Sequence, residues 1–95
     1  MVSAEILDEL FMVIKDRKEN PRKESYVCSL FDSGEDRILQ KVGEEAVEFI
    51  LASKSSKRED IIYECADLVF HIMVSLGYKG IELEEIYKEL EKRRK

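Results

Sequence analysis

The sequence has few of the features that mark disulfide-rich, zinc-binding, secreted or membrane proteins. Its two cysteines, Cys28 and Cys65, have neither CxxC nor zinc-ligand spacing, and two lone cysteines favour a reducing cytoplasm. The first residues lack the basic and then apolar pattern of a signal peptide. No apolar run approaches the length needed to cross a membrane. We therefore expect a cytoplasmic protein with no membrane partner.

The chain also has fewer basic than acidic residues, 16 against 21. The 95 residues carry a formal net charge of −5, which argues against a nucleic-acid partner because its phosphates would be repelled. A phosphorylated small molecule stays compatible, provided that metal ions bridge the two negative partners. The length suits one domain over residues 1–95, and 44% hydrophobic with 39% charged residues is typical of a globular helical protein rather than a disordered one.

Hydrophobic periodicity predicts an all-α fold of four to five helices. The segments with helical spacing are 3–20, 35–54, 61–77 and 83–90. The only proline, Pro21, ends the first of them, and the connector 22–31 contains β-favouring residues without a partner strand. Ser33 and Ser56, each followed three residues later by an acid, are predicted to cap the second and third helices.

The second and third predicted helices are apolar over much of their circumference. Four short helices cannot cover both of them within a chain of this size. The missing cover most simply comes from a second copy, so we expect a helical bundle completed by homo-oligomerisation, as a dimer or a larger assembly. Cys65, on the third helix, is expected to pack in the core as a small apolar residue.

The polar residues of the third predicted helix fall on one stripe. At 100° per residue, Glu64, Asp67 and His71 lie within an arc of about 80°. The segment 61–77 contains no lysine or arginine that could neutralise the two acids by an ion pair along the helix. A partly buried carboxylate needs a partner, which is either a metal ion or a cationic side chain from another helix.

A second acidic stripe lies on the preceding helix, where Glu45 and Glu48 share one face. Carboxylates of two facing stripes repel unless cations lie among them, and oxygen ligands suit Mg²⁺, with Mn²⁺ as a possible substitute. The predicted metal ligands are Glu45, Glu48, Glu64 and Asp67. A solvated acidic face is the alternative interpretation. His71 is expected to support the metal ligands or to pack against its neighbours rather than to bind the metal itself, because Mg²⁺ prefers oxygen to imidazole.

Candidate substrate-binding residues lie close in sequence to the acidic helices. Arg22, Ser25 and Tyr26 combine a cation for phosphate, a hydroxyl for ribose and a ring for stacking, a mix that suits a nucleotide. Lys41 lies one turn before Glu45 and is predicted either to contact a phosphate or to form a plain ion pair within the helix.

The acid pattern resembles a known signature. Residues 44–48 (EEAVE), followed by residues 64–67 (ECAD), resemble the EExxE…ExxD signature of the all-α nucleoside triphosphate pyrophosphohydrolases. Flanking segments narrow the resemblance to the phosphoribosyl-ATP pyrophosphohydrolase family of histidine biosynthesis. These segments are 25–27 (SYV), 29–31 (SLF), 34–39 (GEDRIL) and 67–71 (DLVFH).

The resemblance implies Mg²⁺-dependent hydrolysis of phosphoribosyl-ATP to phosphoribosyl-AMP and pyrophosphate by an oligomeric helical bundle. It also implies that the metal site is served by Glu44, Glu45, Glu48, Glu64 and Asp67. Either Glu44 or Glu45 is expected to accept the proton of the attacking water. Many relatives continue from a cyclohydrolase domain, whereas this chain is expected to stand alone. The alternatives are a housecleaning pyrophosphohydrolase for another nucleotide and a non-catalytic, carboxylate-rich metal-binding module.

Overall fold

Helices make up most of the backbone in the computed structural model, which describes residues 1–55 and 57–94. The helices, in chain order, are α1 (Glu5–Glu19), α2 (Tyr26–Ser33), α3 (Glu35–Ser55), α4 (Arg58–Lys79) and α5 (Leu83–Glu91). Neither described range contains a strand. The predicted all-α class is therefore confirmed.

The ends of α1 and α4 follow from local chemistry. Asn20, which precedes Pro21, leaves the helical region with φ −127° and ψ 75°, so α1 ends at Glu19. At the end of α4, Gly80 adopts a left-handed conformation with φ +74°, and the Ile81 N–H donates to the Leu76 carbonyl at 3.0 Å. The helix thus extends past residue 77 and ends at Gly80, the second of the two glycines that the sequence predicts to terminate it.

Gly77 lies inside α4 because the helix packs closely against α1 at this point. A Cβ atom on Gly77 would approach Ile14 Cγ2 to 3.1 Å, so a larger residue would require the Ile14 side chain to shift by a few tenths of an ångström. The absence of a side chain therefore serves close packing here, and not helix termination.

The connector 22–31 is not irregular throughout, because its second half forms α2. Ser25 caps this helix by accepting a hydrogen bond from the Cys28 N–H at 3.2 Å, and Val27 and Leu30 are buried in the core. Tertiary packing thereby overrides the β preference of the segment. The connector prediction was wrong from residue 26 onward.

The predicted cap at Ser33 is wrong. The Ser33 hydroxyl donates to the Ser29 carbonyl at 2.7 Å, and Gly34, with φ +91°, makes the turn between α2 and α3. The predicted cap at Ser56 lies outside the described residues.

The α3–α4 hairpin is the most extensive helix pair of the fold, with α1 packed across α4 and α2 packed against α3. The core cluster consists of Phe11, Ile14, Val27, Leu30, Ile38, Met73, Val74 and Leu83. This packing places Glu45, on the buried side of α3, opposite Asp67 on α4.

Within the described residues, α4 is the one helix long and apolar enough, by length and composition, to cross a membrane. The expectation that no run approaches that length was therefore wrong. However, α4 packs against α3 and α1 and carries Glu64 and Asp67 at mid-helix, an arrangement typical of a helix inside a bundle.

The α3–α4 hairpin also has an exposed apolar face. Cys65 is exposed, so its predicted place in the core was wrong. The exposed large apolar residues of α3 and α4 are Leu39, Val47, Ile50, Leu51, Ile62, Tyr63, Val69 and Ile72. A face of this extent on a small chain is typical of an interaction surface.

Candidate active site

Two carboxylates from neighbouring helices form the centre of the site. Glu45 of α3 is only 7% exposed and faces Asp67 of α4. Together with His71, they offer three potential ligand atoms within 4.8 Å of one another. The sequence predicted that the two acidic stripes converge, and this pair is where they do so most closely.

The two carboxyl groups of this pair are electrostatically unequal. Burial and the adjoining Glu45 raise the pKa of Asp67. The hydrogen bond with the Asp67 carboxyl, followed by that with Lys41, lowers the pKa of Glu45 despite its burial. Asp67 therefore holds its proton to a higher pH than Glu45 does. A divalent cation between the two groups would favour the ionised form of both.

Lys41 lies directly beside the pair. Its Nζ is 3.0 Å from Glu45 Oε1 and 3.7 Å from Glu44 Oε1. The hydrogen bond to Glu45 raises the pKa of Lys41. The ion pair predicted for this lysine is thus present, and a phosphate contact stays a prediction.

Glu64 and Glu48 lie near the pair but outside its tight cluster. Burial first, and then the charges of Glu45 and Glu48, raise the pKa of Glu64. The four predicted metal ligands therefore occupy one negatively charged neighbourhood. Glu48 is exposed and Glu64 is half-buried, so both can approach a ligand from the solvent side.

Glu44 lies outside the tight cluster and contacts polar groups of its own helix. Its Oε2 accepts a hydrogen bond from Gln40 Nε2 at 3.0 Å and lies 3.8 Å from Arg37 Nη1. Its side chain is 46% exposed. Glu44 is thus linked to the pair through Lys41, whose Nζ is 3.7 Å from Glu44 Oε1.

His71 connects the acidic pair to Tyr26. It is buried, with Nδ1 2.7 Å from the Asp67 backbone oxygen and Nε2 2.8 Å from the Tyr26 hydroxyl oxygen. The Tyr26 ring stacks on Phe70 with 6.3 Å between centroids. This contact joins residues 45 positions apart, which no sequence spacing predicts.

A cleft of about 620 Å³ opens on the other side of Tyr26, a volume in the range of small-molecule sites. Its lining combines apolar side chains with three basic residues (Arg17, Arg22 and Lys23), one acid (Glu24) and the hydroxyls of Ser25 and Tyr26. Three of the four predicted substrate-binding residues line this cleft, and the fourth, Lys41, lies on the acidic side of Tyr26.

Sequence reasoning missed Arg17 and Lys23 as lining residues. Arg17 is in the last turn of α1, where a basic residue ordinarily complements the helix dipole, so its sequence position carried no binding signal. Lys23 follows Arg22 in the connector, and this adjacency was the only sequence feature that indicated a binding role for Lys23.

The Cys28 side chain hydrogen-bonds to the backbone of both arginines that line the cleft. Its thiol donates to the Arg17 carbonyl and accepts from the Arg22 N–H, both at 3.3 Å. The side chain is 5% exposed. This buried thiol therefore ties the end of α1 to the start of the connector.

Comparison with known proteins identifies relatives of nearly the whole chain. The family model described as phosphoribosyl-ATP pyrophosphohydrolase matches residues 7–94. A phosphoribosyl-ATP pyrophosphatase of Clostridium acetobutylicum is 54% identical over 89 residues, which are 94% of this chain and 81% of that protein. One from Methanocella arvoryzae is 49% identical over 94 residues, which are 97% and 99% of the two chains. The histidine biosynthesis bifunctional protein HisIE of Caldanaerobacter subterraneus is 52% identical over 91 residues, but this chain spans 44% of it.

Proposed function

Because the chain belongs to the phosphoribosyl-ATP pyrophosphohydrolase family, we propose that it hydrolyses phosphoribosyl-ATP to phosphoribosyl-AMP and pyrophosphate, as a cytoplasmic enzyme of histidine biosynthesis. One structural observation carries the proposal. Tyr26 lines the cationic cleft, and its hydroxyl contacts the histidine beside the acidic pair. A surface that attracts phosphate thus adjoins a cluster of oxygen ligands, as a triphosphate substrate requires.

The acidic pair fits a divalent cation, because Glu45 and Asp67 offer oxygen donors close together on two facing helices. The proposed ion is Mg²⁺, with Mn²⁺ as a substitute. The proposed ligands are Glu45, Glu48, Glu64 and Asp67. When bound, the ion supplies positive charge to the triphosphate and lowers the pKa of nearby water.

Glu44 is the proposed proton acceptor. Its carboxylate lies outside the buried pair and is accessible, whereas the lowered pKa of Glu45 makes that group a weaker base. In the reaction, a water oxygen forms a bond to phosphorus at the α–β anhydride. The bridging P–O bond breaks, pyrophosphate leaves, and Glu44 takes a proton from the water.

The cleft residues have separate proposed roles in binding. Arg17, Arg22 and Lys23 face one volume and would hold phosphate oxygens by charge-assisted hydrogen bonds. The Tyr26 ring, already stacked on Phe70, would position the nucleoside. Lys41 would meet the phosphates from the acidic side, and Ser25 would contribute its hydroxyl at the start of α2.

The assembly is proposed to be a homo-oligomer, at least a dimer. Val47, Ile50 and Leu51 of α3 are each more than half exposed, as are Ile62 and Tyr63 of α4. A second copy presenting the same face would bury both sets, as in an isologous interface.

Product analysis tests the proposed reaction. Purified protein with Mg²⁺ is incubated with phosphoribosyl-ATP, ATP or dUTP, with the Asp67→Asn variant as the control for contaminating phosphatases. Pyrophosphate is expected from phosphoribosyl-ATP, much faster than from the other two. Faster turnover of an ordinary nucleotide would support a housecleaning enzyme, and no turnover of any nucleotide would support a non-catalytic metal-binding module.

A further inference from the structure

The only histidine of the chain is enclosed between the acidic pair and the cleft. His71 is 2% exposed, and the rings of Phe70 and Tyr26 stand nearly perpendicular to it, with centroids 5.3 and 5.7 Å away. His71 Nε2 is hydrogen-bonded to the Tyr26 hydroxyl, and Nδ1 is hydrogen-bonded to the Asp67 backbone oxygen, with the Asp67 carboxylate oxygen Oδ1 farther away at 3.4 Å. The chemistry of these two partners determines where the hydrogens lie.

A backbone carbonyl has no hydrogen to donate, so His71 Nδ1 must donate to the Asp67 oxygen, 2.7 Å away. In a neutral imidazole, the other nitrogen then carries no hydrogen and accepts. The Tyr26 hydroxyl, 2.8 Å from Nε2, must therefore be the donor of the second hydrogen bond.

We infer that His71 is a positioning residue and not a metal ligand: it is held as the Nδ1–H tautomer and links the backbone of Asp67 to the hydroxyl of Tyr26. To ligate a metal, Nδ1 would have to leave the Asp67 carbonyl, or Nε2 would have to leave Tyr26. Either change would break one of the two hydrogen bonds that fix the imidazole ring.

The consequence for substrate binding rests on the proposed function. The single hydrogen of the Tyr26 hydroxyl is committed to His71, so its oxygen can act only as an acceptor toward the cleft. A ribose hydroxyl or an amino group can donate to it, whereas an ionised phosphate cannot. Tyr26 therefore selects the nucleoside part of the substrate and leaves the phosphates to the cationic residues.

Nitrogen NMR of the imidazole tests the tautomer directly, since one histidine gives one unambiguous pair of ring signals. The spectrum of metal-free protein is recorded at about pH 8.5, well above the ordinary histidine pKa of about 6.5. The expected pattern is a protonated Nδ1 and an unprotonated, hydrogen-bonded Nε2, unchanged at saturating Mg²⁺. A protonated Nε2, or loss of the Nδ1 proton on adding Mg²⁺, would overturn the inference.

Two tyrosine variants provide a matched comparison. Tyr26→Phe should move the Nε2 signal toward that of a nitrogen without a hydrogen bond, and should raise KM for phosphoribosyl-ATP about fivefold to tenfold with a smaller change in kcat. Tyr87→Phe also deletes a hydrogen-bonded hydroxyl, 2.7 Å from Asp8, and should leave both quantities unchanged. An unmoved Nε2 signal in Tyr26→Phe would contradict the link.

The NMR measurement needs neither substrate nor turnover. The inferred tautomer can therefore be refuted while product analysis confirms the proposed reaction, or confirmed while product analysis refutes that reaction. The wild-type spectrum alone decides the tautomer if Tyr26→Phe does not fold.

Discussion

Lys41 and Glu45 form an ion pair one helical turn apart on α3, with 3.0 Å between Nζ and Oε1 and with both side chains largely shielded from solvent. The hydrogen bond between them raises the pKa of Lys41, and it contributes, after the bond with Asp67, to lowering that of Glu45. Lys41 therefore keeps Glu45 ionised next to a second carboxyl group. A metal ion and the lysine compete for the same negative charge.

Replacing Lys41 by methionine should separate phosphate binding from metal binding. We expect Lys41→Met to raise KM for phosphoribosyl-ATP about tenfold, because a cation beside the acids is lost. Mg²⁺ affinity should stay the same or increase, since no lysine competes for Glu45. Steady-state kinetics and Mg²⁺ titration measure the two effects. Lys54→Met, an exposed lysine of the same helix, is the control. A large drop in Mg²⁺ affinity would contradict the expectation.

Removing one charge from the acidic cluster should lower activity without destabilising the metal-free protein. Glu48→Gln and Asp67→Asn should each reduce turnover by roughly 10²-fold or more, because a proposed metal ligand is lost. Metal-free stability should hold or increase, because like-charge repulsion is relieved while shape is kept. Mg²⁺ should raise the melting temperature of the wild type more than that of the variants. Unchanged activity in both variants would show that these acids are only a solvated face.

The raised pKa of Asp67 predicts how metal-free stability depends on pH. The folded protein holds the Asp67 proton more tightly than the unfolded chain does, so this contribution is present in acid and is lost as the pH rises through the raised pKa. Asp67→Asn should therefore gain stability relative to the wild type as the pH rises from about 4 through the raised pKa. Urea unfolding at a series of pH values measures the difference. A difference independent of pH would contradict the assigned direction.

The Cys28 thiol should matter for substrate affinity, although it does not line the cleft. Cys28→Ala removes the contacts to the Arg17 carbonyl and the Arg22 N–H, so both arginine backbones lose a tether. We expect KM to rise several-fold with a smaller effect on kcat, as measured by steady-state kinetics. Cys65→Ala, at the exposed cysteine of α4, is the matched control for loss of a thiol. Equal KM values in the two variants would argue against the tether.

The oligomer prediction concerns the exposed apolar face of the α3–α4 hairpin. Light scattering at micromolar concentration should give at least twice the chain mass of 11.1 kDa. Ile50→Glu places a charge on that face and should lower the measured mass, whereas Met12→Glu alters an exposed apolar residue of α1 and should not. A folded wild-type monomer would refute the proposed assembly.

Much of the fold and part of the site could be predicted from the sequence, because the signals are local. Helical periodicity gave the all-α class, Pro21 gave the end of α1, and the spacing of acids on two neighbouring helices gave the stripes that converge at Glu45 and Asp67. The same acid pattern and its flanks resembled the phosphoribosyl-ATP pyrophosphohydrolase family, and the family match confirmed that resemblance.

Other features depended on packing between distant segments, which periodicity does not encode. Residues 26–33 became helical because Val27 and Leu30 could enter the core once Ser25 capped the turn. Burial distinguished Glu45 from Glu48, although both share an acidic stripe in sequence. The hydrogen bond between Tyr26 and His71 required α2 to lie beside α4. The sequence by itself thus determined which residue types are available on each helix. The tertiary structure decided which of them lose water and meet, because desolvation and contact depend on neighbours far away in the chain.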